Sequence, residues 1–165
     1  MSITRKLHRI VSLDEQPFLE ELYRSLLNRE PDEQGLAHHS LALRQGTSKH
    51  QLLIAFLTSD EALALYEQPP PKNKDDQSSM MYRELQRLFD RRADSFVSHL
   101  YREVLCREPD RDSYNGYLES LGRGRRRSSI FKRFVTSAEF ESLMRMDKYT
   151  FTRHVLDQLI LSFYK

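Results

Sequence analysis

Apolar residues along the chain recur at helical spacing. Ile3, Leu7, Ile10 and Val11 stand at i, i+4, i+7 and i+8, a pattern that gathers them on one stripe of a helix. Phe18, Leu22 and Leu26, with Leu19, Tyr23 and Leu27 beside them, predict a second amphipathic helix, and Leu52, Leu53, Phe56 and Leu57 predict the buried side of a later one. No stretch alternates apolar and polar residues in the way a half-buried strand requires, so the pattern predicts an all-α protein.

The polar residues between the stripes supply helix boundaries. The Phe18 helix is expected to begin near Asp14, with acidic residues in its first turn and Pro17 early enough to be tolerated. Asn28 is suited to the left-handed conformation that ends a helix. Pro31 disfavours α conformation at Glu30, and Asp32 is a strong N-cap for a helix running to about Gln45. Gly46 fits a left-handed cap, and Ser48 with Gln51 reads as a capping box. Thr58 with Glu61 reads as the same box, starting a short helix through about Tyr66. Each unit is thus a roughly four-helix one, with the leading amphipathic helix included in the repeat.

The chain says this twice. Arg29-Glu30-Pro31-Asp32 returns letter for letter as Arg107-Glu108-Pro109-Asp110, 78 positions on. Without a gap the same shift pairs Phe18 with Phe96, Leu22-Tyr23-Arg24 with Leu100-Tyr101-Arg102, Gly46 with Gly124, Phe56 with Phe134, and Thr58-Ser59 with Thr136-Ser137. The first stripe becomes Met81, Leu85, Leu88 and Phe89, with Leu85 and Phe89 expected to be buried. Asn28 becomes Cys106, which adopts a left-handed conformation less readily, so the second copy is expected to end that helix differently. The organisation read from this is a first helical repeat over 1–67, a Pro-rich polar linker over 68–79, a second repeat over 80–146 and a C-terminal helix over 147–165. In that last helix Phe151, Val155, Leu159 and Phe163 form a stripe widened by Leu156 and Ile160. It reads equally as the first helix of an interrupted third unit or as a cap on the second.

Charge changes the picture only locally. The formal net charge is +2, but residues 1 to 78 carry 9 Lys and Arg against 12 Asp and Glu, while 79 to 165 carry 17 against 12. The acidic and basic halves argue against a general polyanion binder, so nucleic acid is not expected, whereas an acidic surface would suit the basic half. Arg125, Arg126 and Arg127, with Glu20, Glu21 and Glu33 as candidate acidic partners, are expected to pair weakly within or between chains. No run approaches the roughly 20 apolar residues of a membrane span, and no apolar leader follows Met1 to Lys6. The single cysteine, Cys106, suits a reducing compartment, and a cytoplasmic location is the expectation.

Candidate chemistry is sparse. Arg29, Glu30, Pro31, Asp32, Arg107, Glu108, Pro109 and Asp110 read as structural corners, with Arg29 reaching back to helix carbonyls or forward to a carboxylate such as Asp32. Arg123, Arg125, Arg126 and Arg127, followed by Lys132 and Arg133, lie at a helix start where anions are favoured. They read as a solvated loop, a contact for an acidic protein surface, or a nucleic-acid or glycan contact. Tyr23 and Tyr101 either pack beneath the corners or present an aromatic surface twice. His38 and His39 are adjacent on a helix and point about 100° apart, poor geometry for one metal, and His39 stands where the second repeat has Tyr117, as a half-buried packing residue would. No acid-base pair or nucleophile motif emerges, so neither an enzyme nor a cofactor is expected.

The run from Phe18 through Arg29-Glu30-Pro31-Asp32, then Gly35-Leu36, Gly46-Thr47-Ser48 and Ala55-Phe56-Leu57-Thr58-Ser59, resembles the bacterial family known as domain of unknown function 4214. That family is similar in turn to the phycobilisome linker domain. The resemblance implies an all-helical, non-enzymatic module that binds or links other proteins. A second implication is an accessory role beside a glycosyltransferase or a cell-surface glycan-assembly system, with a glycan or a glycan-assembly enzyme as partner.

Overall fold

The computed structural model describes residues 2–69 and 78–163. Among the described residues there are eleven α-helices and one π-helical segment, and no strand. In order they are α1 (Ile3–Val11), α2 (Glu15–Leu27), α3 (Glu33–Arg44), α4 (Lys49–Leu57), α5 (Asp60–Tyr66), α6 (Met80–Asp90), α7 (Ala93–His99, continuing as the π-helical Leu100–Val104), α8 (Arg111–Gly122), α9 (Arg127–Val135), α10 (Ala138–Arg145) and α11 (Lys148–Phe163). Four helices follow the leading one in each repeat. Residues 70–77, the body of the expected linker, lie outside the described residues.

The caps explain where the helices start. Asp32 accepts the Gly35 N–H at 2.7 Å and Asp110 the Ser113 N–H at 2.9 Å, so each opens a new helix and neither lies inside a continuous one. Ser48 and Gln51 form the expected reciprocal box. The second expected box is displaced by one residue. Ser59 and Ser137 cap α5 and α10 by accepting from Ala62 and Phe140, while Thr58 and Thr136 end the preceding helices with their hydroxyls donated to Ile54 O and Lys132 O. A threonine hydroxyl engaged with the turn behind it does not cap the turn ahead.

Cys106 also departs from expectation. Its φ is 54°, almost that of Asn28 at 52°, so both copies end in the left-handed conformation. The Arg29 N–H donates to Tyr23 O and the Arg107 N–H to Tyr101 O at 3.3 and 3.2 Å, a bond back across the last turn that satisfies a carbonyl at each helix end. That bond and the burial of Cys106, 8% exposed, offset the strain of a non-glycine residue there. The second copy differs instead in its last turn, which widens so that the Leu105 N–H is shared between Leu100 O and Tyr101 O.

The compact units are offset from the sequence repeats. One comprises residues 6–90, the other residue 91 onward together with the chain start through Arg5. In the first, α6 packs on α2 and α5 around Phe18, Leu22, Leu26, Leu53, Leu57 and Leu85, none of which is exposed. Ser79 fixes the start of α6 on the end of α2, donating its N–H to Asn28 Oδ1 at 3.1 Å and its hydroxyl to Ser25 O at 3.3 Å. Lys6 pairs with Glu84, the residue at its own repeat position. In the second unit the start of α1 takes the corresponding place. Thr4 donates to Val104 O at 2.6 Å and the Ile3 N–H to Glu103 Oε2 at 3.1 Å. Its core is centred on Phe96, Val97, Leu100, Ile130, Phe131 and Phe140. In each unit the start of a leading helix therefore docks at the end of the other repeat's Phe helix.

Helix α11 buries Phe151 and Val155 beside Cys106 and Leu143. Leu156 and Ile160, expected to widen that stripe, are 52% and 54% exposed. They sit on another side of the helix from the pair that packs. The side chains of Leu159 and Phe163 are outside the described residues.

Leu85 and Phe89 are 0% and 3% exposed, as their spacing predicted. Replacing Leu85 by Ala is expected to cost about 2–5 kcal/mol of stability in denaturant unfolding, against less than about 0.5 kcal/mol for Leu156→Ala. Equal losses for the two would show that α6 is not a core element.

Candidate functional site

The repeated tetrapeptide builds a corner, and its arginine holds three elements together. Arg29 stacks on the Tyr23 ring, 4.8 Å from its centroid, and makes a two-pronged contact with Glu61 at 2.8 and 3.3 Å. A third contact reaches Asp32 at 3.5 Å. Arg107 does the same over Tyr101 at 4.9 Å and with Glu139 at 2.5 and 3.0 Å. The main carboxylate partner lies 32 residues away, on the first turn of α5 or α10, and no local pattern in the sequence points to it. A second arginine, Arg24 or Arg102, clamps Glu30 or Glu108, in each case at 2.8 Å. Accepting from Arg24 holds the Glu30 carboxyl below its usual range, and the backbone bond from Gly35 does the same for Asp32.

Beneath each arginine lies an aromatic layer. Tyr23 is 4% exposed, edge-on to Phe56 at 5.0 Å and 6.1 Å from His39. Tyr101 meets Phe134 at 4.9 Å and Tyr117 at 6.4 Å. Burial pushes both phenols up. His39 therefore fills the half-buried packing place of Tyr117. In the first layer the Tyr23 hydroxyl presses on α3, since a Cβ built on Gly35 meets it at 2.3 Å. The second repeat has Ser113 at that position, a side chain that partly offsets the effect of burial on the Tyr101 phenol. The tyrosines and corner residues are thus engaged with one another, and Glu20 and Glu21 are held by Arg24 and Ser25.

The basic run does lie at a helix start, but its members separate. Arg123 pairs with Glu119 at 2.6 Å, Arg133 stands 6.0 Å over Tyr117, and Arg127 lies 5.5 Å over Phe96. Arg125, Arg126 and Lys132 are exposed. Arg125 and Arg127 join Arg92, Ala93, Asp94, Leu118, Leu121 and Gly122 in lining an open groove of about 700 Å3 between α7, α8 and α9. Sequence reading missed Arg92, 33 residues before Arg125, because no local pattern connects them. The repeat alignment pairs Arg92 with Asp14, an acidic-to-basic exchange at the groove that could have found it.

Two tandem helical units with the same corner, the same aspartate and serine caps on two of their helices and a matching aromatic layer define a helical repeat protein. The chain belongs to the family described as Domain of unknown function (DUF4214), which matches residues 7–66 and again 78–144. No curated protein and no solved structure matches it. No described helix is long and apolar enough to cross a membrane.

Gly35→Ala is expected to cost about 1–3 kcal/mol by overpacking against the Tyr23 hydroxyl, despite the better helix propensity of Ala. In a Tyr23→Phe background most of that cost should vanish; an unchanged cost would show that the hydroxyl is not the obstacle.

Burial, followed by the neighbouring His38, lowers the pKa of His39, whose Nδ1 is buried without a hydrogen-bond partner. The unfolded chain therefore binds the proton more readily. Stability from this group is present above the unfolded value near 6.5 and is lost as pH falls through the folded value. Thermal melts between pH 7.5 and 5.5 should show a smaller acid loss for His39→Tyr than for the parent; identical profiles would remove His39 from the titration.

Proposed function

We propose that the chain is a non-enzymatic interaction module presenting two related but unequal helical surfaces, acting as a scaffold or linker for other proteins. It is carried by the contrast between shared and unshared residues. The polar residues common to both repeats are engaged with each other: Arg29 with Glu61, Arg107 with Glu139, Asp32 and Asp110 as caps. The residues that differ between repeats, Arg125 and Arg126 against Thr47 and Ser48, stand at a surface turn. Such a module holds one framework twice and varies what it offers. Tethering two faces raises the effective concentration of the second contact once the first is made. The resemblance to phycobilisome linker domains favours the same reading.

Affinity capture from the source cell, followed by reconstitution with the purified partner, is expected to give a stoichiometric protein complex that survives glycosidase treatment. Retention of an acidic polysaccharide with no protein in fixed ratio would overturn the scaffold role in favour of glycan assembly.

A further inference from the structure

The groove between α7, α8 and α9 lies where the first repeat has a polar bridge between its counterpart helices. In the first repeat Ser40 donates to Glu15 at 2.9 Å across α2 and α3, and Lys49 reaches the Leu13 carbonyl while lying 5.5 Å over the Phe18 ring. The second repeat keeps the last feature, with Arg127 5.5 Å over Phe96. Glu15 and Ser40 become Ala93 and Leu118, which cannot make the polar bridge. What remains is an apolar floor of Ala93, Leu118 and Leu121, all half-buried, with open space at Gly122, where an added Cβ meets nothing within 4 Å. The rim gains positive charge at the same time. Arg92 and Arg125 replace Asp14 and Thr47, while Asp94, standing where the first repeat has Gln16 and 3.8 Å from Arg92, is the carboxylate lining the groove.

We propose that this groove is a docking site for an acidic peptide segment of a partner protein, one apolar side chain seated on Ala93, Leu118 and Leu121 and flanking carboxylates held by Arg92, Arg125 and Arg127. It rests on the interaction reading and names the surface and the chemistry of the partner. Guanidinium groups favour carboxylates through paired charge-assisted bonds, and three of them around one carboxylate leave a cationic rim. The apolar floor selects a peptide over an anionic glycan, because an acidic sugar chain has no aliphatic side chain to cover two leucines. The volume suits a short segment rather than a whole domain face. The corresponding face of the first repeat is bridged by Glu15 and Ser40 and carries Asp14 and Thr47 in place of Arg92 and Arg125.

The test uses the full chain and a labelled nonapeptide of Asp and Glu with one central leucine, beside the same peptide with serine at the centre and a sulfated oligosaccharide. The leucine peptide is expected to bind about tenfold or more tightly than the serine peptide, with affinity falling as salt rises. Amide shifts should cluster at Ala93, Leu118, Leu121 and Gly122 and leave Glu15, Ser40, Leu43 and Arg44 unmoved. Arg125→Thr should weaken binding. The double variant Ala93→Glu with Leu118→Ser, which copies a pair the first repeat already accommodates, should abolish it while circular dichroism and melting stay near the parent. Equal affinity for the two peptides, preference for the oligosaccharide, or full binding by the closed double variant would each overturn the proposal. A captured protein partner that still binds the closed variant would remove the groove but leave the interaction reading standing; capture of no protein would remove the reading itself.

Discussion

The reversal of the chain after each Phe helix is the constraint from which the rest of the fold follows. A left-handed residue at Asn28 or Cys106 turns the backbone out of the helix, the proline two residues beyond the arginine holds it extended, and the aspartate restarts it as the next helix. Three helix ends then lie close together, and Arg29 or Arg107 occupies the place between them. An exposed ion pair by itself contributes little. Here the guanidinium is also stacked on a buried tyrosine and bound in two-pronged fashion to the first turn of α5 or α10, so it fixes orientation as well as charge. The direction of α3, and with it the pressure of Tyr23 on Gly35, is set at this corner.

Local signals in the sequence carried the fold a long way. Helical periodicity located the leading helices and their buried Leu85 and Phe89, and Asp32, Asp110, Ser48 and Gly46 marked boundaries through short-range capping chemistry. What the residues could not display were consequences of distance. Glu61 read as the partner of Thr58 because they are three apart, whereas its carboxylate belongs to Arg29, 32 positions earlier. Cys106 looked unsuited to a left-handed turn when judged by intrinsic preference, and the Arg107 N–H bond to Tyr101 O with burial overrode it. The repeat boundaries gave no hint that residues 80–90 pack with the first repeat, since an amphipathic stripe declares that it must be buried without declaring against what. At the candidate site the arginines after Gly124 were visible as a run, but the groove needed Arg92 and Leu118, which only folding brings beside them.

The two repeats also act as an internal set of substitutions. Gly35 and Ser113 occupy one position and His39 and Tyr117 another, and both pairs face the same buried tyrosine. In the first repeat a side chain added at the glycine would meet the phenol; in the second a serine stands at that position and partly offsets the effect of burial on the phenol. The aromatic layer therefore tolerates a change of shape on α3 or α8 provided the tyrosine hydroxyl is accommodated, and that side of the molecule can diverge without unmaking the corner.

The turn before α4 and α9 has the same freedom for a different reason. Gly46 and Gly124 have φ values of 100° and 85°, a region in which glycine alone is at ease, and they carry the reversal of the backbone. Their neighbours need supply no special conformation, so Gln45 and Thr47 can stand as Arg123 and Arg125 with the turn unchanged. A Cβ added at Gly46 or Gly124 would meet nothing within 4 Å, so the space around both turns is open and the longer arginines find no steric obstacle there. Loss of the Glu15–Ser40 bridge at Ala93 and Leu118 likewise removes one half-buried hydrogen bond, worth about 0.5–1.5 kcal/mol, from a unit held by its buried aromatic and aliphatic core. A change of charge and an opening of the surface are therefore compatible with a framework fixed elsewhere, and they meet in the second repeat at the same place, where α7, α8 and α9 converge.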